Sequence, residues 1–194
     1  MPDELIVWER VRQGDPDSFG AIFLLHRDRV YGQALRLTGS SHDAEDVAAL
    51  VFLEAWRRRS SVRVVDGSVV AWLLICTNFV AKNASRSKRR HAIAMSKLPP
   101  QLDQADHADD VLARFEASGR ESRLRDAFAR LSASDQDVLT LCVVHDFSLA
   151  DAALALGTPL GTVKSRLSRA KRKLATLTGS TDWDIPAHTI GGTR

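Results

Sequence analysis

Cysteine, closely spaced histidines and long apolar runs are scarce in this 194-residue chain. The only two cysteines, Cys76 and Cys142, lie in the apolar segments WLLICTNFV and VLTLCVVHDF. Such surroundings favour two buried thiols over a disulfide, which is typical of a reducing compartment. No pair of the six histidines has the spacing of a metal site. We therefore expect no metal and no other cofactor.

Signals for export or membrane insertion are also missing from the sequence. The first residues, MPDELIVWERV, carry acids where a secretory signal peptide carries bases. No apolar run approaches the roughly 18 residues that indicate a transmembrane helix. With 44% hydrophobic and 26% charged residues, the composition is that of a globular chain. We predict a cytoplasmic protein without membrane insertion.

Charge is segregated along the chain, although the formal net charge is only +3. Basic side chains concentrate in residues 57–63, 82–91 and 164–173, whereas residues 103–116 are acidic. This pattern predicts two basic surfaces that are joined by an acidic connector. A basic surface of this kind is typical of proteins whose partner is acidic.

The hydrophobic pattern has helical spacing almost throughout, and no strand-turn-strand pattern is convincing. Residues 15–16, Asp-Pro, have the chemistry of an N-cap followed by a first helical residue, and Gly39 ends that helix. A third helix is expected from Ser40 or Ser41, and a long fourth helix over about 69–90. The apolar side of the third helix is predicted to carry Val47, Leu50, Val51 and Trp56.

The periodicity fails over residues 92–119, where two consecutive prolines and scattered acids indicate a flexible linker. The sequence therefore predicts an all-α protein with two small helical domains, residues 1–91 and 120–177. Within the second domain, one continuous helix is expected over 135–144. Residues 178–194 are predicted to form a disordered tail.

Turn chemistry in the second domain predicts a helix-turn-helix. Ser148 and Asp151 form a capping box, in which a hydroxyl and a carboxylate satisfy unpaired amides at the start of a short helix. Gly157 ends that helix with a positive φ, and Thr158 is expected to cap the next helix with Pro159 in its first position. This order of elements is that of a helix-turn-helix.

The last helix has one apolar stripe and one basic face. Val163, Leu167, Ala170 and Leu174 recur at helical spacing and are expected to pack against the preceding short helix. A lone basic run is more often a solvated surface, but the capped turn before it favours a recognition helix in the major groove. The predicted DNA-binding face comprises Thr162, Lys164, Ser165, Arg166, Ser168, Arg169 and Arg172.

These segments resemble the extracytoplasmic-function type of bacterial RNA polymerase sigma factor, in the sigma-70 superfamily. The C-terminal SLADAALALGTPLGTVKSRLSRAKRKL is similar to the part of that family that reads the minus-thirty-five promoter element. In the N-terminal half, DAEDVAALVFLEAW is similar to a core-binding segment and AWLLICTNFVAKNASRSKRR to the helix that meets the minus-ten element. The resemblance covers roughly residues 4–177.

The resemblance assigns core RNA polymerase binding and minus-ten recognition to the first domain, and minus-thirty-five recognition to the second. It implies that the first domain docks on the clamp helices of the largest polymerase subunit, and that the chain also contacts the flap of core polymerase. The family's usual Gln-Glu pair is replaced by Ala49-Leu50, where an apolar contact or core packing would explain the leucine. The implied core-polymerase-binding residues are Asp43, Glu45, Asp46, Phe52 and Trp56.

The resemblance also implies that residues 57–68 capture a base flipped from the non-template strand. The arginines there supply charge, but the segment VRVVDGS contains no aromatic residue for stacking. Trp72 is an alternative stacking group, although a tryptophan at this helical spacing is more often part of a core. The implied minus-ten contacts are Arg57, Arg58, Arg63, Trp72, Asn78, Lys82, Asn83 and Arg86.

Two other function classes remain open from the residues alone. A homodimeric helix-turn-helix regulator would need a dimerisation surface, whereas the N-terminal half offers a second basic surface. A DNA enzyme such as a recombinase would need a nucleophile or a carboxylate metal site, and the sequence contains no such cluster. We therefore expect a non-enzymatic initiation subunit whose partners are core RNA polymerase, promoter DNA and, by resemblance, an anti-sigma factor.

Overall fold

A computed structural model describes residues 3–95 and 115–179. The described residues form α-helices and one π-helical turn, and their only extended pairing is an isolated bridge between Val65 and Ser68. The predicted all-α fold is thus confirmed. In chain order the elements are α1 (Glu4–Arg12), α2 (Pro16–Thr38), α3 (Ser41–Arg57), α4 (Val70–Met95), α5 (Phe115–Ala129), α6 (Ala133–Leu139), the π-helical turn (Thr140–Val144), α7 (Leu149–Leu156) and α8 (Leu160–Thr178).

Local capping sets the bounds of the first helices as the sequence predicts. The Asp15 side chain accepts a hydrogen bond from the Asp17 amide at the start of α2, and Pro16 occupies the first helical position. Gly39 ends α2 with a φ of 70°, in the left-handed region that glycine adopts without strain. The Ser40 hydroxyl then accepts from the Asp43 amide and begins α3.

The first four helices enclose one apolar core. Trp8 and Val11 of α1 are buried with residues of α2, α3 and α4, including Ile22, Val51 and Leu73. Leu50 does not belong to this core: 50% of its surface is exposed, so its predicted place on the apolar side of α3 is wrong. The position of Leu50 in α3 turns it away from the stripe formed by Val47, Val51 and Ala55.

The C-terminal helices pack around α8. Ala170 and Leu174 of α8 are buried with Ala127 and Leu131 from the α5 region, whereas Val163 is buried with Ala152 of α7. The predicted apolar stripe therefore contacts two different partners. Its N-terminal end meets α7 as expected, and its C-terminal end meets α5.

Two local predictions in this half are wrong. The continuous helix expected over 135–144 changes to π-helical geometry at Thr140, because Thr140 and Leu141 pack against α4. At α8, Pro159 is the N-cap rather than the first helical residue, and Thr158 makes no capping hydrogen bond. The Thr158 hydroxyl is buried and has no hydrogen-bond partner.

The two halves share a buried junction. Val70, Ala71 and Leu74 of α4 lie in one apolar cluster with Val138 and Leu141 from the C-terminal half. Helical structure also extends into both ends of the predicted linker, since α4 reaches Met95 and α5 starts at Phe115. Residues 96–114, which contain most of that linker, and the predicted tail beyond Gly179 lie outside the described residues.

Candidate nucleic-acid interface

The exposed basic face of α8 is the clearest candidate for DNA binding. Two of its seven predicted contacts, Thr162 and Arg166, are half-buried beside the turn. The Ser165 hydroxyl donates to the Thr162 carbonyl, which keeps it close to the helix surface. The five exposed members are Lys164, Ser165, Ser168, Arg169 and Arg172.

Both ends of α7, the helix before the turn, are held by the predicted capping chemistry. The Ser148 hydroxyl accepts from the Asp151 amide at 3.0 Å and donates to the Asp151 carboxylate at 2.6 Å. Gly157 ends α7 with a φ of 61°, and its amide is within hydrogen-bonding distance of the Leu154 carbonyl. Because both ends of α7 are fixed, the direction in which α8 leaves the turn is fixed as well.

The second predicted DNA-binding face, on α4, is only partly exposed. Asn83 and Arg86 point to solvent, whereas Trp72 and Lys82 are half-buried. Asn78 is 4% exposed, and its side chain is fully engaged by residues of both halves. The structure therefore brings these residues onto one helix but does not leave all of them open to DNA.

The last residue of α3 and the loop that follows it carry the remaining predicted minus-ten residues. Arg57 and Arg58 are exposed, and Arg58 forms an ion pair with Glu54 one turn earlier on α3. Arg63 reaches across to the C-terminal half, where its guanidinium donates to the carbonyl oxygens of Leu154 and Ala155 at 2.9 and 3.3 Å.

Sequence reasoning missed the group that anchors the end of this loop. One carboxylate oxygen of Glu4 accepts from the Ser68 hydroxyl at 3.0 Å and the Val69 amide at 2.8 Å, and lies 2.9 Å from His26 Nε2. Burial by itself would raise the pKa of Glu4, but the hydrogen bonds from His26, Val69 and Ser68 hold it below its usual value. No local signal could reveal this cap, because Glu4 and Val69 are far apart in sequence.

The predicted polymerase-binding residues divide into exposed acids and packed aromatics. Glu45 and Asp46 are exposed on α3, while Asp43 is half-buried and forms an ion pair with Lys88 of α4. Phe52 is buried against two phenylalanines of α2, and Trp56 is half-buried beneath the Arg59 guanidinium, 4.7 Å from the ring centroid. In this arrangement the acids, rather than the rings, face outward.

Buried titratable groups cluster where the two halves meet. Burial raises the pKa of Asp137, and the Asn78 amide together with nearby Lys82 and Arg166 opposes that rise. Burial, with Arg29 and Arg36 nearby, lowers the pKa of His145 to about 4, so its ring is neutral at pH 7.

Other kinds of site find no support among the residues that the structure describes. Within 3–95 and 115–179, no group of three or more His, Cys, Asp or Glu side chains is arranged to hold a metal ion. Cys76 and Cys142 are free thiols, and burial raises their pKa values to about 12 and about 11, which makes them poor nucleophiles at pH 7. Cys142 is only half-buried, contrary to expectation. Across the same residues, no helix is both long and apolar enough to cross a bilayer.

Comparison with protein families decides between the function classes. Residues 22–91 match the family model for sigma-70 region 2, and residues 121–174 match that for sigma-70 region 4. The chain belongs to the sigma-70 family, and its relatives place it in the extracytoplasmic-function (ECF) type. It is thus an alternative sigma factor, a class of transcription initiation factor, and the predicted resemblance is confirmed.

Curated relatives align over most of the ECF chain. The RNA polymerase sigma-H factor of Pseudomonas aeruginosa is 28% identical, over 86% of this chain and 89% of its own length. The ECF RNA polymerase sigma factor BldN of Streptomyces coelicolor is 32% identical, and the alignment covers 87% of this chain but 63% of BldN.

Solved structures show the same fold at lower sequence identity. CnrH in complex with the cytosolic domain of CnrY has a TM-score of 0.60 at 20% identity and covers 91% of this chain and 97% of that one. The sigma factor RpoE of Bartonella quintana, in complex with the anti-sigma factor NepR, has a TM-score of 0.52 at 23% identity, with coverages of 83% and 96%.

Proposed function

We propose that this sigma factor reads the minus-thirty-five promoter element with α8. The supporting observation is the exposed row of basic and hydroxyl side chains on α8, which the capped helix-turn-helix holds in one orientation. Arginine and lysine on such a helix donate to guanine edges in the major groove, and serine can contact bases or phosphates. Residues 120–177 would thus form the minus-thirty-five domain.

The first domain, residues 1–91, would bind core RNA polymerase and the minus-ten element. The exposed acids Glu45 and Asp46 suit a basic docking surface, which we assign to the clamp helices of the largest subunit. Asn83 and Arg86 of α4, with Arg57 and Arg58 beside it, form the exposed part of the proposed minus-ten surface. The flap would receive the second domain. The protein would act in the cytoplasm as an initiation factor, without catalytic chemistry of its own.

Regulation by an anti-sigma factor is the third part of the proposal. Two solved structures with this fold are complexes of a sigma factor with such a partner or with a cytosolic domain. We propose that the present chain also has a protein inhibitor that covers its polymerase- or promoter-binding surfaces. Co-purification with a partner that blocks transcription in a dose-dependent way would support it.

Run-off transcription tests the central function. Purified protein is added to bacterial core polymerase with a library of promoter fragments, and the enriched transcripts are mapped. The proposal predicts initiation at a defined set of fragments that depends on both components. Binding to a palindrome without polymerase, together with no initiation, would identify a homodimeric regulator instead. Replacing α8 residue Arg169 with alanine is the matched loss-of-contact variant.

A further inference from the structure

A large apolar side chain is exposed at the very start of α8. Leu160 is the first residue of this helix, and 52% of its surface is exposed. The other large apolar side chains of α8, among them Val163 and Leu174, are buried or half-buried in the contacts with α7 and α5. Leu160 belongs to neither of these apolar clusters. Core packing therefore does not explain the leucine at this position.

Leu160 begins a row of exposed side chains on α8. Lys164 and Ser168 follow it at intervals of four residues, and this spacing places all three along one side of the helix. Lys164 and Ser168 belong to the predicted DNA-binding face, which was expected to begin only at Thr162. Leu160 thus extends that face toward the N-terminus of α8.

The first turn of α8 is open to an approaching molecule. No side chain makes a capping hydrogen bond there, because the N-cap residue is Pro159. Gly161 is exposed and lacks a side chain, and a Cβ added to it would meet no heavy atom from other parts of the chain within 4 Å. In helix-turn-helix proteins, the N-terminal residues of the second helix are the ones that contact base edges in the major groove.

We propose that Leu160 reads the 5-methyl group of a thymine in the minus-thirty-five element. A leucine side chain has no hydrogen-bonding group, and the thymine methyl is the apolar group that base pairs present in the major groove. Contact between the two removes apolar surface of both from water. Lys164 and Ser168 would contact the DNA in the same row. The inference rests on the proposed minus-thirty-five role of α8 and adds a specificity-determining residue to it.

Replacement of thymine by deoxyuridine tests this contact, because deoxyuridine pairs with adenine as thymine does but lacks the 5-methyl group. A promoter fragment enriched in the run-off library is prepared with each thymine of its minus-thirty-five element replaced singly, on either strand. Binding of the protein together with core polymerase is measured by competition against the labelled parent fragment. At one position the replacement should weaken binding about fourfold, as expected for one apolar carbon removed from a buried contact, and by less than about twofold elsewhere.

Variants of Leu160 assign the methyl contact to this side chain. Leu160→Ala should bind the parent fragment more weakly than wild type and should no longer distinguish thymine from deoxyuridine at that position. Leu160→Met keeps an apolar side chain of similar volume and should retain the distinction. Leu154→Ala is the matched control, because Leu154 is a leucine of α7 with 62% of its surface exposed and undergoes the same truncation. This control should leave the distinction unchanged.

Several results would overturn the proposal. One is a minus-thirty-five element in which no thymine methyl affects binding, or which contains no thymine on either strand. Another is a methyl effect that survives in Leu160→Ala, which would assign the contact to a different residue. An equal loss for Leu160→Ala on all fragments, with the methyl effect intact, would place Leu160 against polymerase.

Run-off transcription from the same fragments separates this inference from the proposed function. Initiation at the enriched promoters together with any of the contrary binding results would refute the leucine contact alone. Absence of initiation at every fragment would refute the proposed function, and the inference would fail with it.

Discussion

The non-local cap formed by Glu4 yields a quantitative prediction about the first domain. Glu4→Gln keeps the size of the side chain but replaces the carboxylate that receives hydrogen bonds from Ser68 and Val69 and faces His26. The His26 side chain is 6% exposed and the Glu4 side chain 15%, so water cannot fully replace the lost interactions. A hydrogen bond to a buried charged group contributes about 1.5–3 kcal/mol, and the amide retains part of it. We expect a loss of about 2 kcal/mol in the free energy of unfolding at pH 7.

The pH dependence of this loss follows from the lowered pKa of Glu4. Burial raises that pKa, but the hydrogen bonds from His26, Val69 and Ser68 lower it by more, so the folded-state value lies below the unfolded one. Such a carboxylate stabilises the fold fully above its unfolded pKa of about 4.3, and the contribution disappears as the pH falls through the folded pKa. The gap between wild type and Glu4→Gln should therefore shrink as the pH falls below about 4.

Urea unfolding followed by tryptophan fluorescence measures both quantities. Trp8, Trp56 and Trp72 all lie in the first domain, so the signal reports mainly on that domain. Glu9→Gln is the control, since Glu9 is an exposed acid of the same helix and its ion pair with Arg12 contributes at most about 1 kcal/mol. Equal losses for the two variants, or a gap for Glu4→Gln that persists unchanged at pH 3, would refute the proposed cap.

Three further predictions concern the second domain. Arg166→Ala should weaken promoter binding by about 1–3 kcal/mol. If Arg166 reads a base, a set of point-substituted promoters should show that the loss depends on the base pair at one promoter position. A loss of equal size across all of these promoters would indicate a phosphate contact instead. Lys173 is an exposed base near the C-terminal end of α8. If it binds a phosphate, Lys173→Ala should reduce the slope of log affinity against log salt by about 0.9 in a titration, and an unchanged slope would place the side chain in solvent. Ser148→Ala removes the N-cap of α7 and should lower the free energy of unfolding by about 1 kcal/mol in thermal or urea melts, whereas the exposed Ser134→Ala should not.

Local chemistry explains which parts of the fold could be predicted. Asp15, Ser40 and Ser148 act on amides two or three residues away, and Gly39 and Gly157 adopt conformations that depend on the glycine itself. Because these interactions join residues that are close together in the sequence, the sequence predicts where the helices start and end.

Interactions between distant segments explain the errors and omissions. The π-helical turn arises where Thr140 and Leu141 meet α4, and the loop end is capped by Glu4 from α1. The apolar pattern of α3 predicts Leu50 on its apolar side, whereas the actual exposure of Leu50 depends on how α3 is rotated against α2 and α4. Helical periodicity gives the spacing of a face but not the element that the face meets.

The same limit explains why the sequence predicts a DNA-reading face on α4 but does not predict the contact of α4 with the second half of the chain. An asparagine amide can pair with a base edge or with the Asp137 carboxylate, and Lys82 can neutralise a phosphate or face that same carboxylate. The donors that make a surface suitable for DNA also make it suitable for an acidic protein group. Since Asn78 has one set of donors, the two uses compete.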